Sequence, residues 1–254
     1  MIQKTLLLFI SACIYYPVFS QETRLASYNT IGWFAYTGAF KIKPKLTIHT
    51  EYQWRRADAV KNWQQGLFRT GINYAVRKDV SLNAGYAFAE TFPYGDYPAA
   101  FAFPEHRIFE QVLIKNPIGV ADLSHRFTLE QRFVGSVTNT NGVKNTKYNF
   151  LNRMRYRLRG EIPLHKKTAA KKPWSIAIQD EIFIGWGKNI GVNIFDQNRI
   201  GILLGYKLNK LVKLEAGYLN QTLQQARLVN NKAVYQYNHG FLLAANFNID
   251  FTRP

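Results

Sequence analysis

Between Asn149 and Ile162 the chain alternates almost without a slip: Arg153, Arg155, Arg157, Arg159 and Glu161 share one parity, and Met154, Tyr156, Leu158 and Ile162 the other. Successive side chains of a strand point to opposite faces, so this segment has one apolar face and one strongly cationic face. Four arginines at every second position repel one another across a modest span. A soluble sheet has little reason to hold them. A membrane barrel does, because its apolar face meets lipid while the charged face lines a wet or counter-charged interior. The predicted fold class is therefore all-β, an antiparallel transmembrane β-barrel.

The same alternation recurs along the chain. Leu46, Ile48, Tyr52 and Trp54 oppose His49, Glu51, Gln53 and Arg55, and Phe68, Ile72 and Tyr74 oppose Gln65, Arg69 and Asn73. Leu123, Phe127, Leu129 and Phe133 oppose Ser124, Arg126, Thr128, Glu130 and Arg132. Ile200, Ile202 and Leu204 oppose Arg199, and Leu214 and Tyr218 oppose Lys213 and Glu215. The last segment sets Phe241, Leu243, Phe247, Ile249 and Phe251 against Asn238, Asn246, Asn248 and Asp250. Eleven segments read as strands in this way. In Glu105–Ile114 both parities are mixed and the faces stay unassigned.

The connections alternate in length. Lys41–Lys45, Arg77–Asp79 and Asn209–Leu211 are short, whereas Thr91–Pro104, Gly135–Lys147, Gly187–Asp196 and Gln225–Val234 read as longer loops. Short periplasmic turns facing longer external loops are expected of outer-membrane barrels. With this polarity, eleven strands would bring the first and last together in parallel, while bacterial barrels normally have an even number. The expectation is thus 10–12 strands. Glu22–Asn29 supplying an extra strand gives twelve, the preferred count; a tucked or shared N-terminal strand gives ten.

The first twenty residues resemble a cleaved signal peptide, with Lys4, the apolar run from Leu6 to Ile10, and Val18-Phe19-Ser20 before Gln21. Residues 21–254 then form a single domain. Cys13 in Ile10-Ser11-Ala12-Cys13 offers a lipoprotein alternative, although Ile14–Phe19 would be an unusually apolar tether. The chain holds 33 Lys and Arg against 16 Asp and Glu; cleavage after Ser20 removes one lysine and no acid, leaving +16. It also removes the single cysteine, which excludes a disulfide framework and thiol catalysis. The predicted address is the outer membrane of a Gram-negative bacterium. The expected partners are membrane lipids, lipopolysaccharide and the barrel assembly machinery, together with small anionic solutes and no nucleic acid.

Several pieces in order resemble an exported family known as domain of unknown function 2490. They are Glu51-Tyr52-Gln53-Trp54-Arg55, Glu105-His106-Arg107-Ile108-Phe109-Glu110-Gln111, His125–Phe133, Arg153–Leu158 and Phe195-Asp196-Gln197-Asn198-Arg199. The resemblance spans essentially the whole mature chain. It implies an outer-membrane barrel and brings no activity or catalytic residue with it.

The candidate site is the set of inward charges: Arg55, Arg69, Arg126, Arg132, Arg153, Arg155, Arg157, Arg159 and Arg199, with Glu51, Glu130, Glu161, Glu181, Glu215 and Asp250. They predict either an Arg–Glu lattice closing a structural barrel or a narrow anion-favouring pore. Ten to twelve strands fall short of the sixteen to eighteen that leave a wide channel. The histidines His49, His106, His125, His165 and His239 show no metal-ligand spacing, and no cofactor or metal is expected. His49 with Glu51, or Ser124 beside His125, lacks the third member of a hydrolytic constellation, so the chain does not read as an enzyme. A lipid-modifying barrel enzyme and a soluble periplasmic binding protein remain the alternatives. The turn Pro163–Pro173, carrying His165, Lys166, Lys167, Lys171 and Lys172, reads as a solvated basic segment or a contact for anionic headgroups.

Overall fold

The computed structural model describes residues 24–164 and 173–252. The signal-peptide segment, Cys13 and the basic turn at 165–172 lie outside them. The described chain is all-β, in eleven strands: β1 (Arg24–Lys43), β2 (Leu46–Ala57), β3 (Asn62–Ala75), β4 (Val80–Thr91), β5 (Phe103–Ile118), β6 (Ala121–Thr140), β7 (Val143–Pro163), β8 (Trp174–Trp186), β9 (Phe195–Lys207), β10 (Val212–Val229) and β11 (Lys232–Asp250). Each pairs with its sequence neighbours, and β1 closes the sheet on β11 into a barrel.

That closure corrects the expected count. β1 and β11 run parallel, in register from Arg24↔Ala233 to Lys41↔Asp250, while every other pair is antiparallel. Among the described residues no twelfth strand forms: residues 24–29 are the start of β1 itself.

Two predicted loops are also corrected. Residues 135–147 are mostly paired strand, β6 and β7 continuing together as far as Thr140↔Val143. The turn is Asn141-Gly142, with φ of 51° and 84°. Two consecutive residues in the left-handed region are what a tight hairpin turn matching the strand twist requires, and Asn-Gly meets that demand at least cost. β10 and β11 end likewise at Val229↔Lys232, around Asn230-Asn231 at φ of 50° and 59°. Residues 92–102 do form a long connection, between β4 and β5.

Side-chain parity follows the predicted alternation. Leu129 and Ile202 stand on the outer wall, 40% and 46% exposed, whereas Arg153 and Arg155 on the inner wall are 2% and 4% exposed. The unassigned strand is also resolved: Glu105, Arg107 and Phe109 are buried inside, and Ile108 and Glu110 are exposed outside. Phe109 fits because its cross-strand partner is Gly85, which in turn pairs with Gly71. A Cβ on Gly85 would come within 2.1 Å of the Thr70 carbonyl oxygen and 2.9 Å of the Phe109 ring. Gly85 therefore clears the space for the ring.

Candidate functional site

β6 and β7 place most of the cations, and β2, β3, β5, β8 and β9 supply the other partners. Glu130 is fully buried and accepts from Arg153 Nε at 2.8 Å and from Arg155 Nη1 at 2.6 Å, with Arg69 Nη2 at 3.6 Å. Arg153 also donates to Asp196 at 2.6 Å, and Arg155 to Glu181 at 2.8 Å. Glu181 takes a second guanidinium, Arg126, at 2.8 Å. Glu105 receives a two-pronged bond from Arg107, at 2.7 and 2.9 Å, and a second from Arg132. Glu51 bridges Arg69 and His49, at 3.3 and 3.4 Å. Each carboxylate thus takes at least two side-chain partners, so the pairs fuse into one network across the middle of the barrel.

A second, smaller network lies towards the end carrying the short turns. Glu161 and Glu215 both bridge Arg159 and Lys213. Asp250 pairs with Lys41 at 3.1 Å, near the foot of the β1–β11 seam.

Burying ions costs several kcal/mol each unless the geometry returns it, and here the returns include aromatic faces as well as carboxylates. Phe183 carries the guanidinium carbons of Arg153, Arg155 and Arg199 at 5.1, 4.6 and 4.6 Å from its ring centroid. Trp33 carries Arg55 and Arg199, at 4.0 and 5.0 Å, and donates its indole N–H to Gln64 at 2.7 Å.

Three candidate arginines stand off the carboxylates. Arg55 donates to the amide oxygens of Gln53 and Gln65, and Glu51 reaches it only through Gln53. Arg199 donates to Gln197 at 3.1 Å. Among the described residues Arg157 has no carboxylate within 4 Å, and its buried Nε lacks a hydrogen-bond partner.

The network divides the interior. A cavity of about 460 Å³ lies towards the turn end, between the arginines of β7 and the small residues Ala35, Ala39 and Ala244 of the seam. A second, of about 520 Å³, lies towards the loop end, against Phe92, Tyr94, Phe101 and Phe103. Arg55, Arg107, Arg153 and Arg199 line both and form the partition between them.

The connection at 92–102 crosses the mouth to the opposite wall. Tyr94 donates its hydroxyl to Gln236 at 3.1 Å and accepts from Asn238 at 3.2 Å, both on β11. Burial pushes the Tyr94 phenol above its ordinary range, so it stays a neutral donor. Gln225 and Arg227 of β10 hold the backbone carbonyls of Tyr97 and Pro98.

The sequence of the family described as protein of unknown function (DUF2490) matches residues 30–232. The chain belongs to that family. The match runs from within β1 to the start of β11 and so takes in the central charge network of this family member, though not Asp250. No curated protein matches the chain.

All the sequence-predicted charges face the interior, but the network joins only some of them. It also recruits Arg107, Glu105, Asp196 and Lys213 as partners, and Trp33 and Phe183 as plates. The signal for Phe183 was its parity with Glu181 on β8, masked by the isoleucines around it. The histidines are scattered. His49 is inside, whereas His106, His125 and His239 sit on the outer wall against Tyr86, Tyr156 and Tyr218. Ser124 turns to the Arg159 carbonyl.

Proposed function

We propose that this family member is an outer-membrane barrel whose arginine-rich lumen draws in small anions through a narrow, partitioned path. One observation carries the reading: among the described residues, Arg55, Arg157 and Arg199 face the two cavities with no carboxylate within ion-pair distance, leaving a net cationic interior. Field lines focus in a low-dielectric tube, so such charges select the sign of what enters.

Membrane insertion is supported by the outer wall. Strands of 12 to 21 residues exceed the roughly 9–11 needed to cross a bilayer at a tilt. Aromatic side chains collect near both ends. Trp54 and Trp63 pack together at the loop end, with Arg56 stacked on each, and Trp174 and Tyr206 pack at the turn end. An exposed apolar belt of this extent is rare on a soluble protein. Two carboxylates interrupt it, and each takes a bond from an amide on the next strand: Glu110 from Gln131 at 3.1 Å, Asp180 from Asn198 at 2.6 Å. That pairing lowers the cost of holding them against lipid. Outer-membrane lipid and lipopolysaccharide are the partners this wall fits.

In planar bilayers the purified barrel is expected to give small conductances with a reversal potential on the anion side in a chloride gradient. Arg157→Gln should move that potential towards neutrality. Cation selectivity would sink the proposal. The charge network itself favours a second reading, a closed structural barrel; complete absence of current with a correctly folded protein would select it.

A further inference from the structure

We propose that the loop-side chamber is a binding site for an organic anion with an oxyanion head and a flat apolar body. The proposal rests on the anion-favouring lumen above and gives it a ligand class.

Arg55 and Arg199 stand at the floor of this chamber, both against the Trp33 indole on its far side, and among the described residues neither reaches a carboxylate. Their remaining polar contacts are neutral amides, Gln53 and Gln65 for one and Gln197 for the other. Arg55 is only 5% exposed, so bulk water solvates its charge poorly. Arg69, Arg107, Arg153 and Arg155, the other arginines as deeply buried as Arg55, each have a carboxylate beside them. At this floor an incoming oxyanion would take that place, and a planar fork suits a carboxylate, sulfonate or phosphate alike.

The upper part of the chamber has a different chemistry. Phe92, Tyr94, Phe101 and Phe103 bring aromatic faces from the crossing connection and its flanks. A volume of about 520 Å³ lies within the range of sites that enclose a small organic molecule. Charge at one end and rings at the other demand an amphipathic anion. Inorganic anions use only the floor, and neutral aromatics only the cap.

The test uses the full barrel in detergent micelles and calorimetric titration with 4-phenylbutyrate, acetate and 4-phenylbutylamine, which separate head from body. Phenylbutyrate is expected to bind at least tenfold more tightly than either of the others. Arg55→Gln with Arg199→Gln should weaken it by roughly tenfold or more per guanidinium removed. Neither arginine carries a carboxylate of the network, so this variant should fold like the parent; Arg55→Lys with Arg199→Lys keeps the charge and should recover part of the affinity. Equal binding of phenylbutyrate and the amine, or an affinity unmoved by the double glutamine variant, overturns the proposal. Anion-selective current without phenylbutyrate binding would remove this site alone and leave the pore reading standing.

Discussion

Replacing Glu130 by alanine is expected to cost about 3–5 kcal/mol, the range for stripping one partner from a buried ion pair. Arg153 and Arg155 both bond this carboxylate, and Arg69 lies 3.6 Å away. Without it, three guanidinium groups share what Asp196, Glu181 and Glu51 still offer. Domain stabilities of about 5–15 kcal/mol leave little margin for that loss. Arg157→Gln is the internal contrast. It deletes a cation with no ion-pair partner and an orphaned Nε, so its effect should stay within about 1 kcal/mol, of either sign. In the double change Arg155→Gln with Arg157→Gln nearly the whole loss should come from Arg155. Urea unfolding in micelles, followed by tryptophan emission, measures all of these. The network account fails if Glu130→Ala and Arg157→Gln cost the same.

A further consequence concerns salt. In the Glu130→Ala barrel the surplus charge borders the 460 Å³ cavity, which is lined by Arg69, Arg153 and Arg155. Phosphate at constant ionic strength should then raise the unfolding midpoint of the variant more than that of the parent, because the variant gains a further anion site on folding beside those the two share. An equal rise in both would mean that anions do not reach the network.

The sequence carried the wall of this barrel in plain view and the interior only in part. β6 and β7 were legible because every outward position between Leu123 and Phe133, and between Met154 and Ile162, is apolar or neutral while the charges keep the other parity. β5 was not, for a physical reason. Its inward row mixes Glu105 and Arg107 with Phe109 and Leu113, and its outward row includes His106 and Glu110. Periodicity reports a face only when that face has one chemistry. What sorts β5 is the neighbouring strand, where Arg132 seeks Glu105.

The hairpin extensions were missed through the same dependence. Residues 136–147 lie beyond the apolar belt with both faces largely exposed, so no alternation marks them. The Asn141-Gly142 pair was the available signal, and turn chemistry outweighs composition there. The identity of the ion-pair partners was hidden more deeply. Arg55 and Arg153 look alike in sequence, yet one meets amides and an indole and the other two carboxylates, a difference set by cross-barrel geometry alone.

Closure is the hardest case, because the alternation of a terminal strand is the same whether its neighbour runs parallel or antiparallel. What distinguishes the parallel seam is a close approach. Gly240 faces Ile31 in the β1–β11 register, and a Cβ on Gly240 would fall 1.7 Å from the Ile31 carbonyl oxygen. Backbone cannot yield as a flexible side-chain tip can, so the two strands would have to part. Gly240→Val is therefore expected to cost more than about 3 kcal/mol, beyond ordinary overpacking. If the chain is an outer-membrane barrel as proposed, the loss should appear as the disappearance of a compact, heat-modifiable band on a gel. Gly66→Ala provides the control: nothing lies within 4 Å of its Cβ, and fewer unfolded conformations should leave the barrel unchanged or up to about 1 kcal/mol more stable. A Gly240→Val barrel that migrates and unfolds like the parent would mean that β1 and β11 do not meet in this register. The odd strand count would then lose its structural basis, because a parallel seam is the only way eleven alternating strands can close.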